Sequence, residues 1–209
     1  MYKVKVSVPA TSINLGPGLH VLGLALSLQT TVDFQIRSDD ELRISVSGEA
    51  KDHIPANFDN PALRAAMRVF QRFERAPFGL QMSIYNAIPV NVGFGLRTAL
   101  IVGGLVAANN LIDAGLPRDE LMQMALQFGL AQPRVVTTIL GGLSICGDPD
   151  TKDLFYHNFE VMPLRVVAVL PKLANFHETT RTLPNQIDLN NAIFNIGRMP
   201  LLTEALCYG

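Results

Sequence analysis

IPVNVGFGLRTALIVGGLVAANNLI, Ile88 to Ile112, is the stretch whose reading decides the fold. Gly93 and Gly95 accept positive φ without a Cβ penalty, so they can turn successive backbone N–H groups toward an anion at the start of the following helix. The plainer alternative is a glycine turn joining a strand to a helix. From Thr98 onward the segment is apolar on every side, as expected for a helix buried in a core. Gly103, Gly104, Asn109 and Asn110 interrupt it, and it is too short to span a bilayer hydrocarbon core of about 30 Å.

Two short alternating segments precede this region: KVKVSV (Lys3–Val8) and GLQMSIYNAI (Gly79–Ile88) both read as half-buried strands. Between KVKVSV and the apolar, β-branched run HVLGLALSLQTTVDFQIR lies PATSINLGPG, whose prolines and glycines predict a loop. ELRISVSGE is a further strand. Asp59-Asn60-Pro61 predicts a helix start, a capping side chain followed by proline in the first turn. Pro117 opens another helix with Asp119 and Glu120 favourably placed on its dipole. VVTTILGGLSICG reads as a buried segment ending in a strand. MPLRVVAVLPK predicts a short buried strand, HETTRTLPNQI a loop, and DLNNAIFNIGRMPLLTEAL a helix capped by Asp188. The change of texture at 147–153 is the expected domain boundary, separating 1–150 from 151–209.

Composition narrows the function. The chain has 209 residues, 48% hydrophobic and 17% charged, with net charge −1 and pI near 6.4. That supports a substantial core and offers no concentrated basic face for nucleic acid. Cys146 and Cys207 are far apart with no second ligand pair beside them, so buried thiols are expected rather than a zinc site. No signal-peptide core opens the chain. The expected setting is the cytoplasm, with neither a membrane nor a nucleic acid as partner.

Two motifs carry a family resemblance. PATSINLGPGLHVLGLAL (Pro9–Leu26) closely resembles the homoserine kinase signature PATSANLGPGFDxLGLAL, and the Ile88 segment resembles that family's phosphate loop, IPxxxGLGSSAAxxVAGxxAANxL. Asp59-Asn60, ILGGLSICG, LRVVAVLP and the last helix match in order. The chain is similar throughout its length to these GHMP small-molecule kinases. The resemblance implies an α+β fold: an N-terminal domain like ribosomal protein S5 domain 2, then a ferredoxin-like C-terminal domain, here partial, with ATP between them. Family members run about a third longer, and their third glycine-rich motif would lie beyond Gly209. The implied activity is ATP- and Mg²⁺-dependent phosphorylation of a small amino acid's hydroxyl. The implied ligand is an amino acid or a nucleotide, and a homodimer is left open.

Carried over position by position, the resemblance assigns a nucleotide site to Asn60, Pro89, Gly93, Phe94, Gly95, Arg97 and Thr98, and an acceptor site to Asn14, His20 and Arg181. No catalytic residue and no metal ligand is assigned, because the chemistry-bearing positions are altered. The family's serine pair is Leu96 and Arg97. Leucine offers a phosphate or a metal nothing; Arg97 either pairs with a phosphate or is a solvated helix-start arginine. Thr98 keeps a hydroxyl one residue later, turned by ~100°. The metal-binding glutamate falls on Leu130, and in the HPDN segment that follows it Gln132 stands for the histidine and Arg134 for the aspartate. No carboxylate lies between Leu121 and Leu143, though a hard cation wants carboxylate oxygens. The acid that meets the substrate amine is His20. Asn14 either bonds a ligand or fixes its turn, Asn60 either meets adenine or caps its helix, and Arg181 either meets a carboxylate or is an exposed loop residue. Three readings follow: a working kinase with an unusual loop, a degenerate homologue that binds an anion or a partner without turnover, or part of a longer kinase.

Overall fold

The computed structural model describes residues 2–147, 154–169, 183–184 and 186–209. β1 (Lys3–Leu15) and β2 (Gly18–Arg37) form a long antiparallel hairpin. β2 is the spine of the sheet. Its C-terminal half pairs on the far edge with β4 (Gly79–Asn86), which in turn pairs in parallel with β3 (Leu42–Gly48). Its N-terminal half pairs with β5 (Leu143–Cys146), and β5 pairs with β6 (Tyr156–Phe159). Parallel strands need a crossover, supplied between β3 and β4 by α1 (Pro61–Phe73). The remaining helices are α2 (Leu96–Leu111), α3 (Arg118–Leu126), α4 (Gln132–Leu140) and α5 (Leu189–Tyr208).

The predicted loop PATSINLGPG is corrected. The strand runs on through it to Leu15, and only Gly16-Pro17 turns. Pro9, which cannot donate to a ladder, sits where the register shifts between Pro9 and Ala10. A bulge thus absorbs the residue that argued for a loop. The predicted buried strand in MPLRVVAVLPK is corrected as well: residues 162–169 are exposed and join no ladder among the described residues. Alternating valines are buried only when a neighbouring strand covers them, and none does here. The expected boundary falls at residues 148–153, outside the described set, and β6 beyond it joins the same sheet as β5.

α2 lies between the sheet and α1, buried along nearly its whole length. Two glycines make this sandwich: a Cβ at Gly103 would stand 2.8 Å from Val32 Cγ2, and one at Gly104 would collide with the Ala62 carbonyl oxygen of α1. Around it Phe34, Met82, Ile84, Ile101, Leu105 and Met122 are fully buried. α5 makes a smaller second cluster, where Cys207, Met199 and Leu202 meet Leu22, Leu24 and Leu143. Its start matches the sequence reading: Asp188 accepts a hydrogen bond from the Asn190 N–H, 2.8 Å.

Gly104→Ala is expected to destabilise the fold by about 3 kcal/mol or more, because the obstacle is backbone. Gly197→Ala, in α5 with open space around it, is expected to be neutral or to stabilise by up to about 1 kcal/mol. Urea denaturation of both variants checks the contrast. Both cysteines are free and buried, and burial pushes the Cys146 thiol up to about 12. Between its ordinary 9.0 and that value the unfolded chain holds fewer protons than the folded one, so stability falls as pH rises. Unfolding midpoints measured from pH 8 to 11 are expected to decline for the parent and to flatten in Cys146→Ala.

Candidate functional site

The phosphate-type loop begins where β4 stops. Asn86 is fully buried, and its side chain makes four bonds at that point. Its Nδ2 donates to the Glu49 and Ile88 carbonyls at 2.7 and 2.8 Å. Its Oδ1 accepts from the Ile88 N–H at 3.0 Å and the Thr30 hydroxyl at 2.5 Å. One side chain thereby ties the loop's entry to β2 and to the segment after β3. The chain then takes left-handed conformations at Asn91, Gly93 and Gly95 (φ 60°, 78° and 76°) and enters α2 at Leu96. No side chain caps that N-terminus, so the first-turn N–H groups are free of a cap and the dipole favours an anion beside them.

Gly95 has a second role. A Cβ there would lie 2.7 Å from Arg134 Nη1 and 2.8 Å from Thr11 Oγ1, so only glycine lets these groups close on the loop. Thr11 in β1 donates its N–H to the Phe94 carbonyl, 3.0 Å. Arg134 Nη1 donates to the Thr11 carbonyl at 2.9 Å, to Thr11 Oγ1 at 3.3 Å and to the Gly93 carbonyl at 2.8 Å. The two signature motifs are thus stitched together by one threonine and one arginine. Arg134 arrives there because α4 packs tightly on β2: Thr137 sits against Gly23 and donates to the Pro133 carbonyl, 2.6 Å. Beside it, buried Gln132 Oε1 has no hydrogen-bond partner among the described residues.

Two cavities meet at this stitch. The smaller, about 400 Å³, is walled by the loop on one side and by His53, Ile54 and Pro55 on the other. The larger, about 820 Å³, lies between the β1–β2 turn, the loop and the start of α5. Gly93, Phe94 and Arg134 border both.

Pro89, Gly93, Phe94, Gly95, Arg97 and Thr98 are brought together around the smaller cavity. Space beside Gly93 is open, with nothing within 4 Å of a Cβ placed there; Leu96 borders the cavity without filling it. Arg97 is exposed, and its Nη2 donates to the Phe128 carbonyl at 3.1 Å on the outer side of α2. Asn60 is not at the cavity surface. It is buried, accepts from the Ala62 and Leu63 N–H groups (2.9 and 3.4 Å) and donates to the Pro55 carbonyl at 2.6 Å. The capping alternative accounts for its whole side chain. Asn14 borders the larger cavity, in a left-handed turn whose Oδ1 accepts from the His20 N–H, 2.9 Å. His20 is exposed and borders neither cavity. Arg181 lies outside the described residues. Thr11, His53, Asn86 and the clasping role of Arg134 were not legible in the motifs. Thr11, Asn86 and Arg134 act through backbone contacts between segments remote in sequence, and His53 is set on the cavity wall by the fold; no local spacing encodes either.

The loop and the uncapped helix start fit phosphate oxygens. The site does not fit Mg²⁺. No Asp or Glu is among the described residues bordering either cavity, and no cluster of three or more His, Cys, Asp or Glu exists among the described residues. At the junction stands a guanidinium, which repels a cation.

Residues 60–142 match the model of the GHMP kinases N terminal domain. The homoserine kinase of Symbiobacterium thermophilum is 38% identical, covering 99% of this chain and 67% of its own length. That of Carboxydothermus hydrogenoformans is 34% identical, covering 98% and 67%. The crystal structure of homoserine kinase from Cytophaga hutchinsonii superposes with a TM-score of 0.78 at 22% identity, over 99% of this chain and 68% of that one. Mevalonate kinase of Methanococcus jannaschii gives 0.62 at 14% identity, over 77% and 56%. The fold and the loop define a GHMP-type kinase scaffold, and the chain belongs to the homoserine kinase family. It spans about two thirds of the length of these homoserine kinases, which are therefore about half again as long as this chain, a larger excess than the expected third. No helix among the described residues is long and apolar enough to cross a membrane.

Asn86→Ala would strand the Glu49 and Ile88 carbonyls, the Ile88 N–H and the Thr30 hydroxyl together. It is expected to cost about 3 kcal/mol and to open residues 89–95 to limited proteolysis. Asn86→Asp, which sets a buried carboxylate oxygen against the same two carbonyls, is expected to cost at least as much.

Proposed function

We propose that this chain is a homoserine-kinase-type protein that binds the phosphates of a nucleotide at the Gly93–Thr98 turn and transfers phosphate poorly or not at all. The observation that carries the reading is the character of the two cavities: backbone donors and two arginines, Arg97 and Arg134, border them, and no carboxylate does among the described residues. Phosphoryl transfer depends on positioning and charge neutralisation rather than on covalent chemistry by the protein. The loop still offers the first of these. The hydroxyl pair, the metal-binding acid and the amine-binding acid would supply the rest, and Leu96, Arg97, Leu130 and His20 hold their places.

Removal of one positioned electrostatic group costs roughly 10²–10³ in rate. Losses from groups that act together are not additive, but three such losses place turnover far below that of an ordinary kinase. The partner in this reading is a small molecule, and the cytoplasm is the compartment, where two buried free thiols stay reduced.

With ATP, homoserine and related amino alcohols, in Mg²⁺ or Mn²⁺, ADP production by the purified chain is expected at least about 10⁴-fold below the typical kinase turnover of about 1–100 s⁻¹. Turnover within that ordinary range on any of these acceptors overturns the reading.

A further inference from the structure

Arg134 is an unusual cation. It is half-buried, it borders both cavities, and it has no carboxylate partner among the described ion pairs. Burial pulls its pKa below the ordinary arginine value, and no acidic neighbour opposes that shift. All three of its hydrogen bonds to described groups leave from Nη1 and end on Thr11 and Gly93. The clasp therefore uses one corner of the guanidinium, whose planar fork holds five donors. A charge taken out of water without a counter-ion is costly, and an anionic ligand at the cavity junction would offset that cost.

The larger cavity says what kind of anion. Its walls include Ile13, Val92, Phe94 and Ile187, with Asn14 and Asn195 as neutral polar groups. No Asp or Glu among its described lining residues offers an ammonium a partner, and His20 is exposed and does not border it. Among the described residues a zwitterionic amino acid would find a guanidinium for its carboxylate and no counter-charge for its amine.

We propose that Arg134 serves as the site's resident counter-charge in place of a divalent ion, so that the joined cavities hold a small organic anion with an apolar body, a carboxylate or a phosphate monoester, without metal. This rests on the nucleotide-site reading only for the location of the loop, and it can stand or fall separately. The charge supplied is fixed to the fold through α4, so the site is organised before the ligand arrives. It is also permanent, because arginine does not lose its proton in a protein.

The test is isothermal titration of the full chain with ATP, 4-methylpentanoate, 3-methylbutyl phosphate, leucine and homoserine, each in Mg²⁺ and in EDTA. Metal-independent binding of at least one of the two apolar anions is expected, tighter than that of leucine or homoserine. Which of the two binds identifies the source of the anionic group. Arg134→Gln, which retains an N–H donor for the clasp, is expected to weaken that binding roughly tenfold to a hundredfold; Arg134→Lys should lose less. Asn14→Asp adds a carboxylate to the same cavity while keeping the acceptor for the His20 N–H. It is expected to weaken the anion and to favour leucine over 4-methylpentanoate, and it decides the matter if Arg134→Gln fails to fold by circular dichroism.

Binding that needs Mg²⁺, equal affinity in Arg134→Gln, or parent-chain preference for the amino acids overturns the proposal. If ATP fails to bind while an apolar anion binds through Arg134, the nucleotide reading fails and this one stands. If ATP binds and neither apolar anion does, the reverse holds.

Discussion

The close approach of α2 to its neighbours is the constraint on which the rest of the structure depends. A helix that faces the sheet on one side and α1 on the other has no solvent side to relax into, so its axis is set by contact. Gly103 and Gly104 permit that contact because neither carries a Cβ to hold Val32 or the Ala62 carbonyl away. Interiors packed to crystalline density transmit such constraints instead of absorbing them. The position of the α2 N-terminus, and with it the direction of the loop's N–H groups, follows from packing about half the helix away.

A second close approach converts that scaffold into a site. Where α4 meets β2, Thr137 lies on Gly23 and Arg134 is carried to Thr11 and Gly93. The strand motif and the loop motif, some eighty residues apart, become one surface. The electrostatic character of that surface is opposite to what magnesium needs. A divalent ion at a phosphate is normally held by carboxylate oxygens, and the described residues bordering these two cavities offer guanidinium groups and no carboxylate. The backbone that bends around an anion and the side chains that would make the anion react are separable. The first depends on the backbone's path, and the second on the identity of a few side chains, of which Leu96 and Leu130 pack against the core.

Much of the fold was legible from local pattern. Apolar alternation marked β1, β3 and β4, the Asn60-Pro61 pair marked α1, and Asp188 marked α5, because each signal acts within a few residues of its effect. PATSINLGPG misled because proline and glycine speak for turns only when no partner strand competes. Here β2 runs alongside for its whole length, and a register shift at Pro9 removes the conflict. The valines of MPLRVVAVLPK misled in the opposite direction, since a β-branched apolar run promises a buried strand but cannot supply the neighbour that buries it.

The candidate site divides along the same line. The sequence by itself determined the family and the glycines of the turn, and it put Leu96, Arg97 and Leu130 where the resemblance expects hydroxyls and a carboxylate. These are properties of residue identity in register with a motif. Only the tertiary structure decided that Asn60 is consumed as a buried cap, that Arg97 turns outward to Phe128, and that Arg134 closes the two motifs on each other between two cavities. Each of those outcomes is a competition among partners brought together by packing. A side chain's choice among them is fixed by distances that no linear order contains.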